Sequence, residues 1–378
     1  MHNQKIKIAF MADVLDRRPE RALFARRLVE NLLKHPELEV TLIHFKPMPD
    51  DPLYEKAKEI VLKPVRVPWG GKFLAFLKFC LSSKERFHIF QWLVARPYPF
   101  FWLAPADKIV VTAHDAGGIA APGIFTLPRF IFNLMMKYFN RRIDAVIGVS
   151  EFARGEIIKF YRIPEQKAFA IYNGIDSELR PIPKIAALQI MKGSYGLDIK
   201  KYFLYLGGLQ THKNVKRLIE AYNLFRKEFV AEEKLVIAGI PSYGKEEVYE
   251  AARASPYTQD IIFVNYVAVP DLAAIYSGAT ALVYPSLHEG FGLPIVEAMA
   301  CGTPVVASDV TSLPEIADAA ALLINPNAAQ SIADAMLKII TDQKLRADLI
   351  VKGFKRARLF TWQKYAEKHR VLYKSLLE

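Results

Sequence analysis

The sequence predicts an α/β protein with two domains, each built around a parallel β-sheet covered by helices. Short apolar, β-branched runs alternate with amphipathic helical segments, the pattern of repeated βαβ units, and the second half repeats the alternation. A chain of 378 residues is also long for one hydrophobic core. The segment 173–184 breaks the periodicity with a glycine and two prolines, which predicts a linker. We therefore expect domains at 1–180 and 181–378, with the terminal helix at about 361–377 packing back on the first.

Apolar runs and helical periodicity place the elements of the first domain. The run KIKIAFM predicts the first strand, and apolar side chains at 23, 24, 28 and 32 recur with the 3.6-residue period of a helix. The predicted strands are 5–11, 38–45, 88–92, 108–114, 144–150 and 168–172. The predicted helices are 20–35, 72–82, 128–141 and 151–161.

The second domain follows the same scheme. The strand YFLYLGG ends in two glycines, and VKRLIEAYNLFRKEF is a strongly amphipathic helix. The predicted strands are 202–208, 234–239, 261–264, 281–286 and 304–308. The predicted helices are 215–229, 244–254, 271–278, one from about Pro294, two within 329–355 and the terminal helix.

Composition and charge narrow the class of protein. With 52% hydrophobic and 24% charged residues, the chain has a globular profile, and no apolar run reaches the ~18–20 residues of a membrane span. An early strand at the N-terminus argues against a signal peptide, and two distant cysteines, Cys80 and Cys301, predict free thiols in a cytoplasmic protein.

The basic charge predicts an anionic partner. The net charge is +12, and residues 1–180 contribute +9 of it through 28 Lys and Arg against 19 Asp and Glu. A basic half of the chain attracts a nucleotide, an anionic membrane surface or nucleic acid, and the charge alone does not distinguish among these three partners. No nucleic-acid-binding motif is present, so we expect no nucleic acid. The segment RFIFNLMMKYFNRR at 129–142 is basic and aromatic, as a membrane-surface helix is, although we favour its interpretation as a core helix with a charged end.

The segment HEGFGLPIVEAMACGTPVVASD at 288–309 contains the main candidate residues for a ligand-binding site. Glu289 precedes a glycine turn, and Pro294 favours a helix start, so Glu297 is expected in the first helical turn. Gly290 and Gly292 let the backbone approach a ligand. Because parallel sheets bind ligands outside the carboxyl ends of their strands, both carboxylates are expected to line a site beside a phosphate-binding helix N-terminus.

This segment resembles the E-x7-E signature of the retaining glycosyltransferases of family 4. The resemblance extends over nearly the whole chain, through segments 149–176, 206–222 and 263–286, in the family's order and spacing. It implies the GT-B fold: two facing Rossmann-like domains with a cleft between them. It also implies transfer of a hexose, such as mannose, glucose or galactose, from a UDP- or GDP-linked donor to a saccharide or lipid-linked acceptor. Such an enzyme would be cytoplasmic, with a position on the inner face of the membrane as a further expectation.

The resemblance also assigns roles to residues. Glu289 would contact the donor sugar, Glu297 the ribose, and Lys213, after the glycine turn at Gly208, the diphosphate. His114, at the end of a first-domain strand, would lie near the sugar and the acceptor. The remaining donor contacts implied are the backbone of Gly290, Phe291, Gly292 and Leu293, and the base-binding positions Tyr266 and Val267.

The sequence departs from the family at two phosphate-binding positions. Many members carry an arginine shortly before the lysine, where this chain has Gly208, Gln210 and His212, and a glycine-rich turn after the first strand, where it has ADVLDRRPER. Arg17, Arg18 or Arg21 could supply the second cation, and Asp115 could orient His114 or contact the acceptor.

The motifs predict no metal and no cofactor. The chain contains no D-x-D sequence, so Lys213 and a helix terminus would take the place of a cation. Two alternatives remain: a nucleotide-sugar epimerase or hydrolase of the same fold, and, from another class, a basic membrane-surface binding module.

Overall fold

The structure, a computed structural model, describes residues 5–16, 22–48, 51–67, 70–94, 98–114, 116, 134–241 and 244–378. The chain divides into two compact units. The first comprises residues 1–174 and 362–378, and the second comprises 175–361. The division lies inside the segment 173–184 that the sequence predicts as a linker.

The first unit is a seven-stranded parallel sheet in the order β3-β2-β1-β4-β5-β6-β7. In its centre, Ile8 pairs with Val40 on one side and Ile89 on the other. The strands are β1 Ile6–Met11, β2 Leu38–His44, β3 Lys58–Val61, β4 Phe87–Trp92, β5 Ala106–Thr112, β6 Ala145–Gly148 and β7 Ala168–Ala170. The helices whose full extent is described are α1 Leu23–Leu32, α2 Pro52–Lys56, α3 Gly71–Ser82 and α4 Glu151–Tyr161. Hydrophobic clusters cover both faces of this sheet.

The second unit is a six-stranded parallel sheet in the order β10-β9-β8-β11-β12-β13. The strands are β8 Tyr202–Leu206, β9 Lys234–Ala238, β10 Ile261–Val264, β11 Ala281–Tyr284, β12 Val305–Ser308 and β13 Leu322–Ile324. The helices are α5 Lys184–Tyr195, α6 Val215–Glu228, α7 Lys245–Ala254, α8 Leu272–Gly278, α9 Leu293–Ala300, α10 Leu313–Ala317, α11 Ala329–Thr341 and α12 Gln343–Ala357. Helix α6 packs on α11, and α5 packs on α8.

The last helix, α13, Trp362–Leu377, belongs to the first unit, where it packs against α1. Its buried face includes Trp362, Tyr365, Leu372 and Tyr373, and the hydroxyl of Tyr373 donates to the side-chain oxygen of the buried Gln91 in β4. Burying a large apolar side chain contributes about 1.5–3 kcal/mol, so this face holds the helix firmly to its sheet.

His369 lies in the middle of that face and makes the first unit sensitive to acid. Its ring is fully buried, Nδ1 lies 2.9 Å from the carbonyl oxygen of Tyr365, and burial lowers the pKa of His369 to about 4. The unfolded chain takes up this proton near its ordinary pKa of 6.5, before the folded protein can. The stability that depends on an uncharged His369 is therefore fully present above the ordinary pKa of 6.5 and is lost as the pH falls towards 4.

We expect the wild-type protein to lose about 2 kcal/mol of unfolding free energy through His369 between about pH 7.5 and pH 5. Replacing His369 with phenylalanine should remove that part of the acid sensitivity, which melting curves across this pH range measure. The matched control is His35→Gln, at a partly exposed histidine of the same unit. Equal acid sensitivity of wild type and His369→Phe would show that this ring does not titrate as described.

The strand predictions are largely confirmed. The elements that the sequence analysis missed are either short or directly preceded by prolines. The sequence does not predict β3, β13, α2 or α10, which have four, three, five and five residues. It also assigns Lys184 to the linker, whereas α5 begins there, directly after Pro183. Proline at the boundary fits a helix start as well as a linker, and the linker interpretation was wrong for this residue.

Some predictions fall on parts of the chain that the structure does not describe. Arg17, Arg18, Arg21 and Asp115 lie outside the described residues, as does most of the predicted helix 128–141, of which residues 134–138 are seen as helical. Cys80 and Cys301 are free thiols in different units. Among the described residues, no helix has the length and apolar character needed to cross a membrane.

Candidate functional site

The second sheet has its topological switch point between β8 and β11. From β8 the chain continues outward to β9 and β10, and from β11 it continues the other way to β12 and β13. The loops after β8 and β11 therefore leave the same edge of the sheet in opposite directions and open a crevice, the usual ligand site of this architecture. Lys213 follows β8, and Glu289 follows β11.

The structure brings Lys213 and Glu289 into direct contact. Lys213 Nζ donates to Glu289 Oε1 at 2.6 Å and to the hydroxyl oxygen of Tyr284 at 3.2 Å. Both charged side chains are largely enclosed, with 16% of Lys213 and 11% of Glu289 exposed. Tyr284 is the last residue of β11, and its ring stacks on that of Tyr205, with the centroids 5.9 Å apart. A fixed cation thus faces the crevice beside a carboxylate that holds it in place.

The loop that carries Lys213 is anchored by its neighbours. Asn214 adopts a left-handed conformation with φ of 61°, and its buried side-chain amide donates to the carbonyl oxygens of Pro285 and Pro326 at 3.0 and 2.7 Å. Leu287 N donates to the carbonyl oxygen of His212 at 2.7 Å. The loops after β8 and β11 are therefore joined on either side of the Lys213–Glu289 pair.

Gly208 lies in the same loop, next to the side chain of Gln210. The hydroxyl of Tyr205 donates to the carbonyl oxygen of Gly208 at 2.7 Å. A Cβ at position 208 would lie 2.4 Å from Gln210 Oε1. The departure from the family at Gln210 therefore has a structural counterpart: its amide occupies the space next to Gly208.

The glycine turn before α9 is fixed in the same way. Ser312 Oγ lies 2.9 Å and 3.0 Å from the carbonyl oxygens of Glu289 and Phe291. Gly292 has φ of 104°, and a Cβ there would lie 2.6 Å from a side-chain carbon of Leu313, so only glycine fits. No described side chain caps the N-terminus of α9. Pro294 has no N–H and Ile295 N donates to the carbonyl oxygen of Gly292 at 3.1 Å, so the N–H group of Leu293 is the one at this helix start that can bind an anion.

Glu297 does not lie in the first turn of α9, and that expectation was wrong. The helix begins at Leu293, one residue earlier than predicted, because Gly292 makes the turn into it; Glu297 is its fifth residue. The hydroxyl of Tyr276 donates to Glu297 Oε2 at 2.7 Å. Burial raises the pKa of Glu297, while the hydrogen bond from Tyr276 acts in the opposite direction.

The predicted base-binding residues follow β10. The side chain of Tyr266 is half exposed and that of Val267 is buried. Tyr195, the last residue of α5, braces this loop: its hydroxyl donates to Asp271 Oδ2 at 2.7 Å and accepts from Ala268 N at 2.9 Å. The sequence analysis did not single out Tyr195.

His114 lies in the first unit, two residues after the end of β5 rather than at the end of the strand itself. Its ring packs edge-on against Phe24 of α1, with the ring centroids 4.3 Å apart. The contact fixes the ring near the carboxyl end of β5.

The residues that sequence reasoning missed are mostly tyrosines beneath the site. Tyr205, Tyr276 and Tyr284 are buried and contact Gly208, Glu297 and Lys213 respectively. In the sequence they stand in apolar runs, where an aromatic residue is expected simply to fill the core. The described residues contain no cluster of His, Cys, Asp and Glu side chains able to hold a metal ion.

Comparison with known proteins identifies the family. Residues 22–179 match the family model Glycosyltransferase Family 4, and residues 191–356 match Glycosyl transferases group 1. The O-antigen chain mannosyltransferase B of Escherichia coli is 31% identical over 264 residues, which cover 68% of each chain. The serotype-specific mannosyltransferase WbdA of Escherichia coli is 30% identical over 236 residues, which cover 62% of this chain and 29% of that longer protein.

Among solved structures, Anabaena Alr3699/HepE in complex with UDP-glucose has a TM-score of 0.76 at 18% identity and covers 98% of this chain and 100% of its own. The two parallel Rossmann-like sheets thus have the GT-B fold, as the sequence predicts. The chain belongs to the group 1 glycosyltransferases of family 4 and is a retaining hexosyltransferase.

Proposed function

We propose that this enzyme transfers mannose from a nucleoside diphosphate sugar to the growing saccharide of a surface polysaccharide, with retention at the anomeric carbon. The observation that carries the proposal is the enclosed Lys213–Glu289 pair at the switch point of the second sheet. The printed names of both Escherichia coli relatives describe mannosyltransferases, one of them of the O-antigen chain, which favours mannose among the hexoses.

In this proposal the predicted donor contacts of the second unit have roles that their surroundings support. Lys213 is positioned to stabilise the negative charge that develops on the leaving diphosphate. Glu289 contacts sugar hydroxyls, and Glu297 accepts hydrogen bonds from the ribose. The backbone N–H groups from Gly290 to Leu293 bind the sugar or the diphosphate. Tyr266 and Val267 flank the base.

The first unit supplies the acceptor side of the proposed reaction. His114 contacts the sugar and the acceptor, while Asp115, Arg17 and Arg18 are proposed as further phosphate or acceptor contacts. His114 need not act as a base, because the leaving phosphate can take the proton of the acceptor hydroxyl.

The donor is identified by a thermal-shift panel of UDP, GDP and their hexose conjugates. A ligand at 100 times its Kd stabilises the protein by about 2.7 kcal/mol, so one nucleotide family should raise the melting temperature and the other should not. We expect GDP-mannose to be effective because the relatives are mannosyltransferases, and we expect the shift and the turnover to persist in EDTA. Loss of turnover in EDTA that Mg²⁺ restores would overturn the metal-free mechanism.

The alternative of the same fold, an epimerase or a hydrolase, is separated by the acceptor. A transferase releases nucleoside diphosphate rapidly only when an acceptor hydroxyl is present. Equal turnover of the nucleotide sugar with and without acceptor would favour the alternative.

We further propose that the first unit docks on an anionic membrane surface, as a lipid-linked acceptor would require. An aromatic surface, defined here as Phe100, Leu103, Leu134, Tyr138 and Phe139, exposes large apolar side chains in this unit. Exposed cations lie beside it at Arg141 and Arg142, and Lys137 in the same segment is partly exposed. Trp102 connects the residues of this surface near position 100 with those near position 139. Its ring stacks on that of Phe139, with the centroids 4.3 Å apart, and its centroid lies 5.4 Å from that of Phe100.

Aromatic rings and cations side by side match the interfacial region of an anionic leaflet, where each cation contributes about 1 kcal/mol. Arg26 and Arg27 also add to the basic charge of this unit, but they form ion pairs with Asp51 and Glu30. We therefore assign the docking to the aromatic surface and its own cations.

Co-sedimentation with liposomes checks this proposal. Pelleting should require anionic lipid and decrease at high salt, and Arg141→Glu with Arg142→Glu should weaken it. The charge-matched control is Lys344→Glu with Lys355→Glu, at exposed lysines of the second unit. Salt-independent pelleting would indicate hydrophobic insertion instead, and no pelleting at low salt would favour a soluble acceptor.

A further inference from the structure

We infer that Tyr276 is a positioning residue for Glu297: its hydroxyl holds the carboxylate in the orientation and charge state that accept the hydroxyls of a ribose. The inference rests on the proposed role of Glu297 in nucleotide binding. The E-x7-E motif does not include this tyrosine and does not predict it, because Tyr276 lies 21 residues before Glu297 on another helix.

The geometry makes Tyr276 a rigid donor. It lies in α8, its side chain is fully buried, and its hydroxyl donates to Glu297 Oε2 at 2.7 Å. Its own backbone is fixed as well, because Thr303 Oγ1 donates to the carbonyl oxygen of Tyr276 at 2.7 Å. A buried ring with two side-chain torsions leaves the hydroxyl little freedom to move away from the carboxylate.

The arrangement leaves half of the carboxylate for a ligand. Within the described part of the chain, Tyr276 provides the only hydrogen bond to the Glu297 side chain, and it reaches Oε2. Oε1 therefore keeps its full capacity to accept hydrogen bonds, while Glu297 as a whole stays partly exposed. A carboxylate held through one oxygen and open at the other suits a pair of neighbouring hydroxyls.

The charge state depends on the same hydrogen bond. Burial and the nearby charge of Asp176 raise the pKa of Glu297, and the Tyr276 hydrogen bond lowers it. The other titratable neighbour, Cys301, has a pKa raised to about 12 by burial and by Glu297, so it stays a neutral thiol. Without the tyrosine hydroxyl, Glu297 takes up a proton at a higher pH and then no longer offers two accepting oxygens.

Tyr276→Phe tests the inference because it removes one oxygen atom and keeps the ring. Calorimetric titration with UDP and with GDP between about pH 5.5 and pH 8.5 measures affinity for the nucleotide that binds. The variant should bind about tenfold more weakly than wild type at the acid end, with a smaller loss at the alkaline end. The pH below which affinity falls should move upward.

Two further variants separate the outcomes. Tyr202→Phe is the matched control, because Tyr202 is also buried, and its hydroxyl donates to the carbonyl oxygen of Ile275 at 2.7 Å, next to Tyr276 in the chain. It should melt at a lowered temperature like Tyr276→Phe but keep the wild-type pH profile. Glu297→Gln should weaken binding and remove the dependence on pH in the acid range.

If Tyr276→Phe melts like the control and binds with the wild-type pH profile while Glu297→Gln binds weakly, the positioning role is overturned and the proposed function stands. If Glu297→Gln binds both nucleotides as wild type does, the proposed role of Glu297 itself fails.

Incorporation of 3-fluorotyrosine provides a second test should Tyr276→Phe not fold. The residue is incorporated into wild type, Tyr202→Phe and Glu297→Gln. The lower phenol pKa then strengthens the hydrogen bond, and the acid limit of binding should move downward in wild type and Tyr202→Phe alike. An unmoved limit overturns the inference.

Discussion

Replacing Lys213 with methionine is expected to lower kcat about 100- to 1000-fold. The leaving diphosphate gains negative charge in the transition state, and Lys213 is a fixed cation at the switch point, held by Glu289 at 2.6 Å and Tyr284 at 3.2 Å. A preorganised charge in an enclosed site stabilises the transition state more than the ground state, so kcat falls more than substrate affinity. Steady-state kinetics at saturating donor measure the loss.

The matched control is Lys216→Met, at an exposed lysine in the first turn of α6. It should leave kcat within a factor of two. Lys213→Met should also melt at a lower temperature, because the substitution leaves the enclosed Glu289 carboxylate without its cation. A variant that folds and turns over as fast as wild type would show that another cation neutralises the leaving group.

Glu297→Ala is expected to weaken nucleotide binding about 10- to 100-fold while the fold stays intact. The carboxylate is the proposed acceptor for ribose hydroxyls, and a hydrogen bond to a charged group contributes about 1.5–3 kcal/mol. The hydroxyl of Tyr276 loses its partner in this variant, so a modest decrease in melting temperature should accompany the loss of affinity.

Calorimetry with the free nucleoside diphosphate measures the effect without turnover. The control is Glu228→Ala, at an exposed carboxylate at the end of α6. Unchanged affinity for the free nucleotide would exclude a ribose contact, and an effect confined to the nucleotide sugar would transfer the role to the sugar.

The central features of both sheets could be predicted from the sequence because buried parallel strands need continuous apolar runs. Strands such as β1 and β11 contain little else. Strands β3 and β13 escaped prediction for the converse reason: they are short, and β3 carries Lys58 and Glu59 on exposed positions. Helix α5 escaped because two prolines precede it and only Ala187 and Met191 are buried.

The candidate site divides in the same way. Glu289 and Lys213 were singled out separately, from a motif and a glycine turn, but no local pattern predicts that the two side chains form an ion pair 76 residues apart. Tyr276 and Tyr284 could not be distinguished from core aromatics, since only tertiary structure shows where their hydroxyls point. Glu297 was assigned to the wrong helical turn because one residue separates a start at Leu293 from a start at Pro294.

The most direct test of the proposed reaction is the anomeric configuration of its product. The purified enzyme is incubated with GDP-mannose and a mannose-terminated oligosaccharide in EDTA, and the new linkage is read from the one-bond carbon–proton coupling at its anomeric carbon. A UDP-linked hexose replaces the donor if the thermal-shift panel selects uridine. The account predicts an α-linked product, formed together with one nucleoside diphosphate for each sugar transferred. A β-linked product, or release of free sugar at the same rate without acceptor, would contradict it.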